Sequence, residues 1–104
     1  MSHELNYSEK AIDNIKSITK GDKPSAKLLK EKIKSLEDDP FPHGIKKVSE
    51  DIYHIRCGNY RVIYSVENKK IYILCIKRRN ENTYSDLKHF NKIIDDIKKI
   101  NSED

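Results

Sequence analysis

Two dipeptides, Gly58-Asn59 and Asn68-Lys69, cut the middle of this chain into three segments: Ile52–Cys57, Tyr60–Glu67 and Lys70–Lys77. Each segment is rich in Ile, Val and Tyr, the residue types that suit a pleated, half-buried surface. Gly-Asn is a good two-residue hairpin turn, and Asn at the first position of the other pair tolerates positive φ. Such short turns set the pairing. About the first, Cys57 faces Tyr60, Arg56 faces Arg61, Ile55 faces Val62 and His54 faces Ile63. About the second, Glu67 is expected opposite Lys70, Ile63 opposite Leu74, and Arg61 opposite Ile76. Opposed residues share a face, and so do alternate residues along a strand. His54, Arg56, Arg61, Ile76 and Arg78 are therefore expected on one side, with Ile52, Ile63, Tyr72 and Leu74. The other side receives Tyr53, Ile55, Cys57, Tyr60, Val62, Tyr64, Val66, Ile71, Ile73 and Cys75. A one-residue slip would scatter the set.

Upstream the period is helical. Ser8 has the character of an N-cap, and Ala11, Ile12, Ile15 and Ile18 follow at helical spacing, with Gly21 as the stop. Pro24 and Ser25 open a second helix with a stripe of Leu28, Leu29, Ile33 and Leu36. Asp38-Asp39-Pro40-Phe41-Pro42-His43-Gly44 cannot continue it. Residues 2–6 offer a short edge strand, and residues 45–49 a short strand ahead of the hairpins. Residues 79–83 read as a loop. Leu87, Phe90, Ile94 and Ile97 then mark a C-terminal helix that starts near Tyr84 or Ser85. The expected fold is α+β: two N-terminal helices packed on a small antiparallel sheet of three to four strands, helices on one side, with a C-terminal helix. At 104 residues this is one domain, 1–104.

The chain carries seventeen lysines from end to end but only four arginines, Arg56, Arg61, Arg78 and Arg79, all in one stretch. Residues 43–79 hold nine basic and three acidic side chains, whereas the flanking segments together sum to −2. That local positive field attracts nucleic acid or an acidic protein segment. Arginine's planar, permanently charged fork matches phosphate and carboxylate geometry. Arg56 opposite Arg61 is an arrangement that stability does not explain, because like charges directly opposite in a sheet are destabilising. A nucleic-acid backbone is an obvious external counter-charge. The alternative is that long arginine side chains splay into solvent and keep the sheet face wet.

Cys57 and Cys75 fall in apolar strand segments and read as reduced, partly buried thiols. No CxxC or HxxxH spacing marks a metal site, and no cofactor is expected. No apolar run is long enough to span a bilayer, and the N-terminus lacks a signal peptide's apolar region, so a cytoplasmic location is expected.

The stretch Tyr53-His54-Ile55-Arg56-Cys57-Gly58-Asn59-Tyr60-Arg61-Val62-Ile63-Tyr64 resembles the central hairpin of the RelE/ParE toxin superfamily, whose usual form is Y-R-I-R-x-G-x-Y-R-x-x-Y. The approach Asp39–Val48 and the ending Arg78-Arg79 followed by Tyr84 are similar too. The resemblance covers essentially the whole chain. It implies a toxin encoded with an antitoxin. In the RelE branch the toxin cuts messenger RNA in the ribosomal A site without metal: a 2′-hydroxyl attacks the adjacent phosphate and leaves a cyclic phosphate and a free 5′-hydroxyl. In the ParE branch the target is DNA gyrase. A third reading is an inactive module whose basic face only binds an antitoxin. The tyrosine and the basic set favour RelE.

In-line attack needs a base, positive charge on the phosphorane and an acid for the leaving oxygen. Under the resemblance Arg61 stabilises the phosphate, and Arg56 orients the backbone or shares that task. Arg78 neutralises the leaving group. Tyr84 stacks on a base or moves a proton; otherwise it is a helix-start aromatic packed on the sheet. Arginine is a poor base. His54 stands where the family often has Arg or Lys and titrates near neutrality. It is either the general base or an ordinary sheet-face residue against Ile63. His43 reads as a loop residue. Lys46, Lys47, Lys77 and Arg79 steer RNA or ribosome, or are solvated surface charges. The apolar stripe of the C-terminal helix, or a partner, is expected to cover the apolar half of the arginine face.

Overall fold

A computed structural model describes residues 3–80 and 87–102. The elements run β1 Glu4–Tyr7, α1 Glu9–Gly21, α2 Lys23–Ser35, β2 Lys46–Ser49, β3 Ile52–Cys57, β4 Tyr60–Glu67, β5 Lys70–Arg78 and α3 Leu87–Ser102. The sheet has five strands in the order β1-β5-β4-β3-β2. The α+β class, the helix order and the strands Ile52–Cys57 and Tyr60–Glu67 match the expectation. The sheet is larger than three to four strands, and it is mixed, because β1 pairs in parallel with β5 from Glu4↔Lys70 to Tyr7↔Ile73. Its short edge strand reaches β5 only after the chain has passed through both N-terminal helices and three strands, a connection no local pattern announces.

The tight turns hold as local chemistry demands. Gly58 and Asn68 adopt φ of 62° and 55°, each at the first turn position. A third two-residue turn, Glu50-Asp51, joins β2 to β3 with Asp51 at φ 66°. Ser8 caps α1, its Oγ accepting from the Ala11 amide at 2.9 Å. Asp22 caps α2, accepting from the Ser25 amide and hydroxyl at 3.2 and 2.6 Å.

Helices cover both faces of the sheet, not one. Ala11, Leu29, Ile33 and Leu36 from α1, α2 and the end of α2 pack on Ile55, Val62, Tyr64, Ile71 and Ile73. Phe90, Ile93, Ile94 and Ile97 of α3 pack on Ile52, Ile63, Tyr72 and Leu74. The apolar half of the arginine face is thus closed by α3, and the Lys98–Glu67 ion pair at 2.6 Å pins the far end of that helix. Ile12 and Leu28, counted in the helical stripes from the sequence, face outward at 41% and 53% exposure. No helix of the described residues is long and apolar enough to cross a membrane.

Candidate functional site

The β3–β4 register is the one the Gly58-Asn59 turn dictates, with Arg56↔Arg61, His54↔Ile63 and Cys57↔Tyr60. The β4–β5 register starts as expected at Glu67↔Lys70 and then slips. Tyr64 pairs with Ile73 but Ile63 pairs with Cys75, leaving Leu74 as an extra residue, a β-bulge. The expected pairs Ile63–Leu74 and Arg61–Ile76 are replaced by Ile63↔Cys75 and Arg61↔Lys77.

The bulge reassigns faces. Leu74 and Cys75 both enter the core under α3, and Ile76 turns to the core under α1 and α2. Beyond it, Lys77 joins Arg61's face, with its Nζ 5.9 Å from the centre of the Phe90 ring. Arg78 sits opposite Tyr60 on the other face. The cations of the arginine face therefore form a row across three strands: Arg56 on β3, Arg61 on β4 and Lys77 on β5. Arg56 is exposed, while Arg61 and Lys77 are half-buried.

Alpha-helix α1 stabilises this slip. The Ser8 hydroxyl donates to the Leu74 carbonyl at 2.6 Å, and the Asn14 side-chain oxygen accepts from the Ile76 amide at 3.0 Å. Beta-strand β1 ends opposite Ile73, so these side chains take over where its backbone stops.

His54 lies on the arginine face between Lys46 of β2 and Ile63 of β4. It is only 8% exposed. Burial, then the charges of Arg61 and Lys46, push its pKa below the ordinary value and so favour the neutral imidazole. Its Nδ1 is buried with no hydrogen-bond partner among the described residues. Lys46 shares its face, whereas Lys47 pairs with Tyr53 and points the other way. Arg79 follows the strand into a turn, its amide donating to the Asn59 carbonyl at 2.9 Å. Tyr84 lies outside the described residues.

The structure thus brings Lys46, His54, Arg56, Arg61 and Lys77 to one face and places Arg78, Arg79 and Lys47 elsewhere. Lys77 was legible only as a steering charge, because the bulge that turns it has no mark in the local pattern. On the face opposite the arginine row, a cleft of about 730 Å³ opens between α1 and the Gly58-Asn59 end of the sheet; Tyr60, Arg78, Arg79, Asn14 and Ser17 line it.

Similarity to known proteins agrees with this architecture. The RelE chain of the archaeal RelE–RelB complex from Pyrococcus horikoshii is 27% identical, with a TM-score of 0.65 over 79% of this chain and 100% of that one. An Escherichia coli RelE mutant in the free state is 16% identical, with a TM-score of 0.66 over 93% and 99%. The toxin of the chromosomal ParDE system of Pseudomonas aeruginosa is 17% identical, with a TM-score of 0.63 over 74% and 96%. No curated protein sequence matches the chain. The model of the ParE toxin of the type II toxin-antitoxin system parDE matches residues 5–83. The chain belongs to this ParE toxin family, within the RelE/ParE toxin superfamily.

Proposed function

We propose that this toxin is an endoribonuclease that cleaves messenger RNA in the ribosomal A site, by attack of a 2′-hydroxyl on the adjacent phosphate, with arginine rather than metal supplying the positive charge. The observation that carries this reading is the row Arg56–Arg61–Lys77 beside a neutral, buried His54. Arg61 stands in the middle of the row and is the group for the phosphorane's developing charge. Arg56 and Lys77 hold the phosphates on either side. His54, kept neutral by its surroundings, accepts the proton of the attacking hydroxyl. Tyr84 stacks on a base or delivers the proton to the leaving oxygen, whereas Arg78, on the opposite face, holds the backbone beyond the scissile phosphate. Lys46, Lys47 and Arg79 steer the strand. An antitoxin is the natural partner, since relatives of the same fold are solved as toxin–antitoxin complexes.

The match to the ParE family model favours a second reading, in which the protein inhibits DNA gyrase and leaves messenger intact. Purified protein added to a translating system separates the two. Cleaved messenger with cyclic-phosphate ends, produced equally in the presence of a chelator and lost in Arg61→Ala, supports the nuclease. Intact messenger with blocked supercoiling supports the ParE reading, and neither activity leaves only an antitoxin-binding module.

A further inference from the structure

We infer that the cleft between α1 and the Gly58-Asn59 end of the sheet is a nucleotide subsite for single-stranded RNA, in a nuclease of the kind proposed above, on which this assignment rests. One nucleotide is held there, with its phosphate at Arg78 and Arg79 and its base against Tyr60.

The chemistry of the lining fits a nucleotide better than a bare anion or an acidic peptide. Arg78 and Arg79 enter from β5 and the turn after it, and guanidinium forks match phosphate oxygens. Tyr60 presents an aromatic side chain to the same cleft, and bases stack on such rings with little sequence preference. Asn14 and Asn59 line it as well; a side-chain amide offers both a donor and an acceptor, as a base edge does. The Asn14 oxygen is held by the Ile76 amide, which fixes the direction in which its NH₂ points. Asp22, which ends α1 and caps α2, lines the cleft too. Its carboxylate repels an acidic peptide but accepts from a base's amino groups. It also orients the ligand: phosphate toward the arginines, base toward Asp22.

The fold connects this cleft to the arginine row. Tyr60 and Arg61 are consecutive on β4 and so face opposite sides of the sheet. The bulge at Leu74 pairs Lys77 with Arg61 on one side and Arg78 with Tyr60 on the other. An RNA strand lying on the row can therefore round the short end of the sheet at Gly58-Asn59 and place a neighbouring nucleotide in the cleft. Without the bulge, Arg78 would share Arg61's face and the cleft would lose a cation.

The test is binding, not cleavage. A fluorescent hexanucleotide of 2′-O-methylated RNA carries no free 2′-hydroxyl at its internal linkages and is not cut there; its affinity for the full chain is read by anisotropy. Ser17→Tyr fills the cleft from an exposed position on α1, and Arg79→Ala removes a cation. Each is expected to weaken binding about five- to tenfold, within the range of one lost stacking or phosphate contact, with an unchanged melting temperature. A hexamer of the same backbone without bases should bind wild type and Ser17→Tyr equally. Should Ser17→Tyr fail to fold, Arg79→Ala and the base-free hexamer decide. Equal binding of the RNA hexamer by wild type and both variants overturns the subsite, as does an effect confined to a hexaglutamate peptide or no binding by wild type. Cyclic-phosphate ends on translated messenger are scored separately, so the nuclease reading can survive the loss of the subsite.

Discussion

The hydroxyl of Ser8 donates to the carbonyl oxygen of Leu74 at 2.6 Å, and Leu74 is the residue that β5 leaves without a partner on β4. The Ser8 hydroxyl oxygen also accepts from the Ala11 amide, so one side chain both starts α1 and occupies a carbonyl at the bulge. The Ser8 amide in turn donates to Ile73 at 3.0 Å. The start of a helix and the slip of a strand are thereby one structural unit. That unit joins residues 66 positions apart in sequence and decides which basic residues stand together.

Ser8→Ala is expected to destabilise the protein by about 2 kcal/mol. The change removes an N-cap, typically worth ~1 kcal/mol, and strips a buried carbonyl of its donor, which costs a similar amount. Chemical denaturation reads the loss. A change below about 0.5 kcal/mol would mean that the bulge is held by strand packing alone.

Replacing Arg56 should separate stability from activity. Arg56 faces Arg61 directly across β3–β4, and like charges so placed cost a few tenths of a kcal/mol or more. Arg56→Thr, which keeps strand propensity, is expected to leave the melting temperature unchanged or slightly higher while messenger cleavage falls at least about tenfold. A marked drop in melting temperature would identify Arg56 as a structural residue instead.

His54 should make stability depend on pH. Its folded pKa lies below the ordinary 6.5 because burial, Arg61 and Lys46 all oppose the charged form. The unfolded chain therefore binds the proton more readily. The neutral imidazole contributes its full stability above pH 6.5 and loses it as pH falls through the folded pKa. Melting temperatures between pH 7.5 and about 5 should fall more steeply for wild type than for His54→Gln, which has no proton to gain. If His54 also accepts the proton of the attacking hydroxyl, cleavage in wild type should fade on the acid side of the same window. The glutamine variant should be at least about a hundredfold slower. Parallel melting curves would remove the pH argument.

The row and the cleft should behave as separate units in double-mutant cycles. Arg61 and Lys77 are paired across β4–β5 on one face, whereas Arg78 pairs with Tyr60 on the other. Cleavage by Arg61→Ala/Lys77→Ala is expected to fall by less than the product of the single effects, since both groups serve neighbouring phosphates. Arg61→Ala/Arg78→Ala should approach the product, because residues without shared partners add. The reverse pattern would restore Arg78 to the arginine row.

Local sequence determines much of this protein. The Gly58-Asn59 turn sets Arg56 against Arg61 and His54 against Ile63, because a two-residue turn leaves the hairpin a single register. Ser8 and Gly21 bound α1, and the Pro40-Phe41-Pro42 stretch ends the helical half, all through backbone chemistry that acts within a few residues. The motif around that hairpin is enough to identify the superfamily. What lies beyond is tertiary. Leu74 and Cys75 are both apolar, so the alternation of β5 reads the same with or without a bulge. Their shared face exists because α3 supplies a core for both, while Ser8 and Asn14 of α1 satisfy the backbone on the opposite edge. The same contacts decide that Lys77 rather than Arg78 stands beside Arg61, and that the parallel β1 closes the sheet. A two-residue turn carries its own geometry, whereas a bulge forms only where distant groups take up the hydrogen bonds it releases.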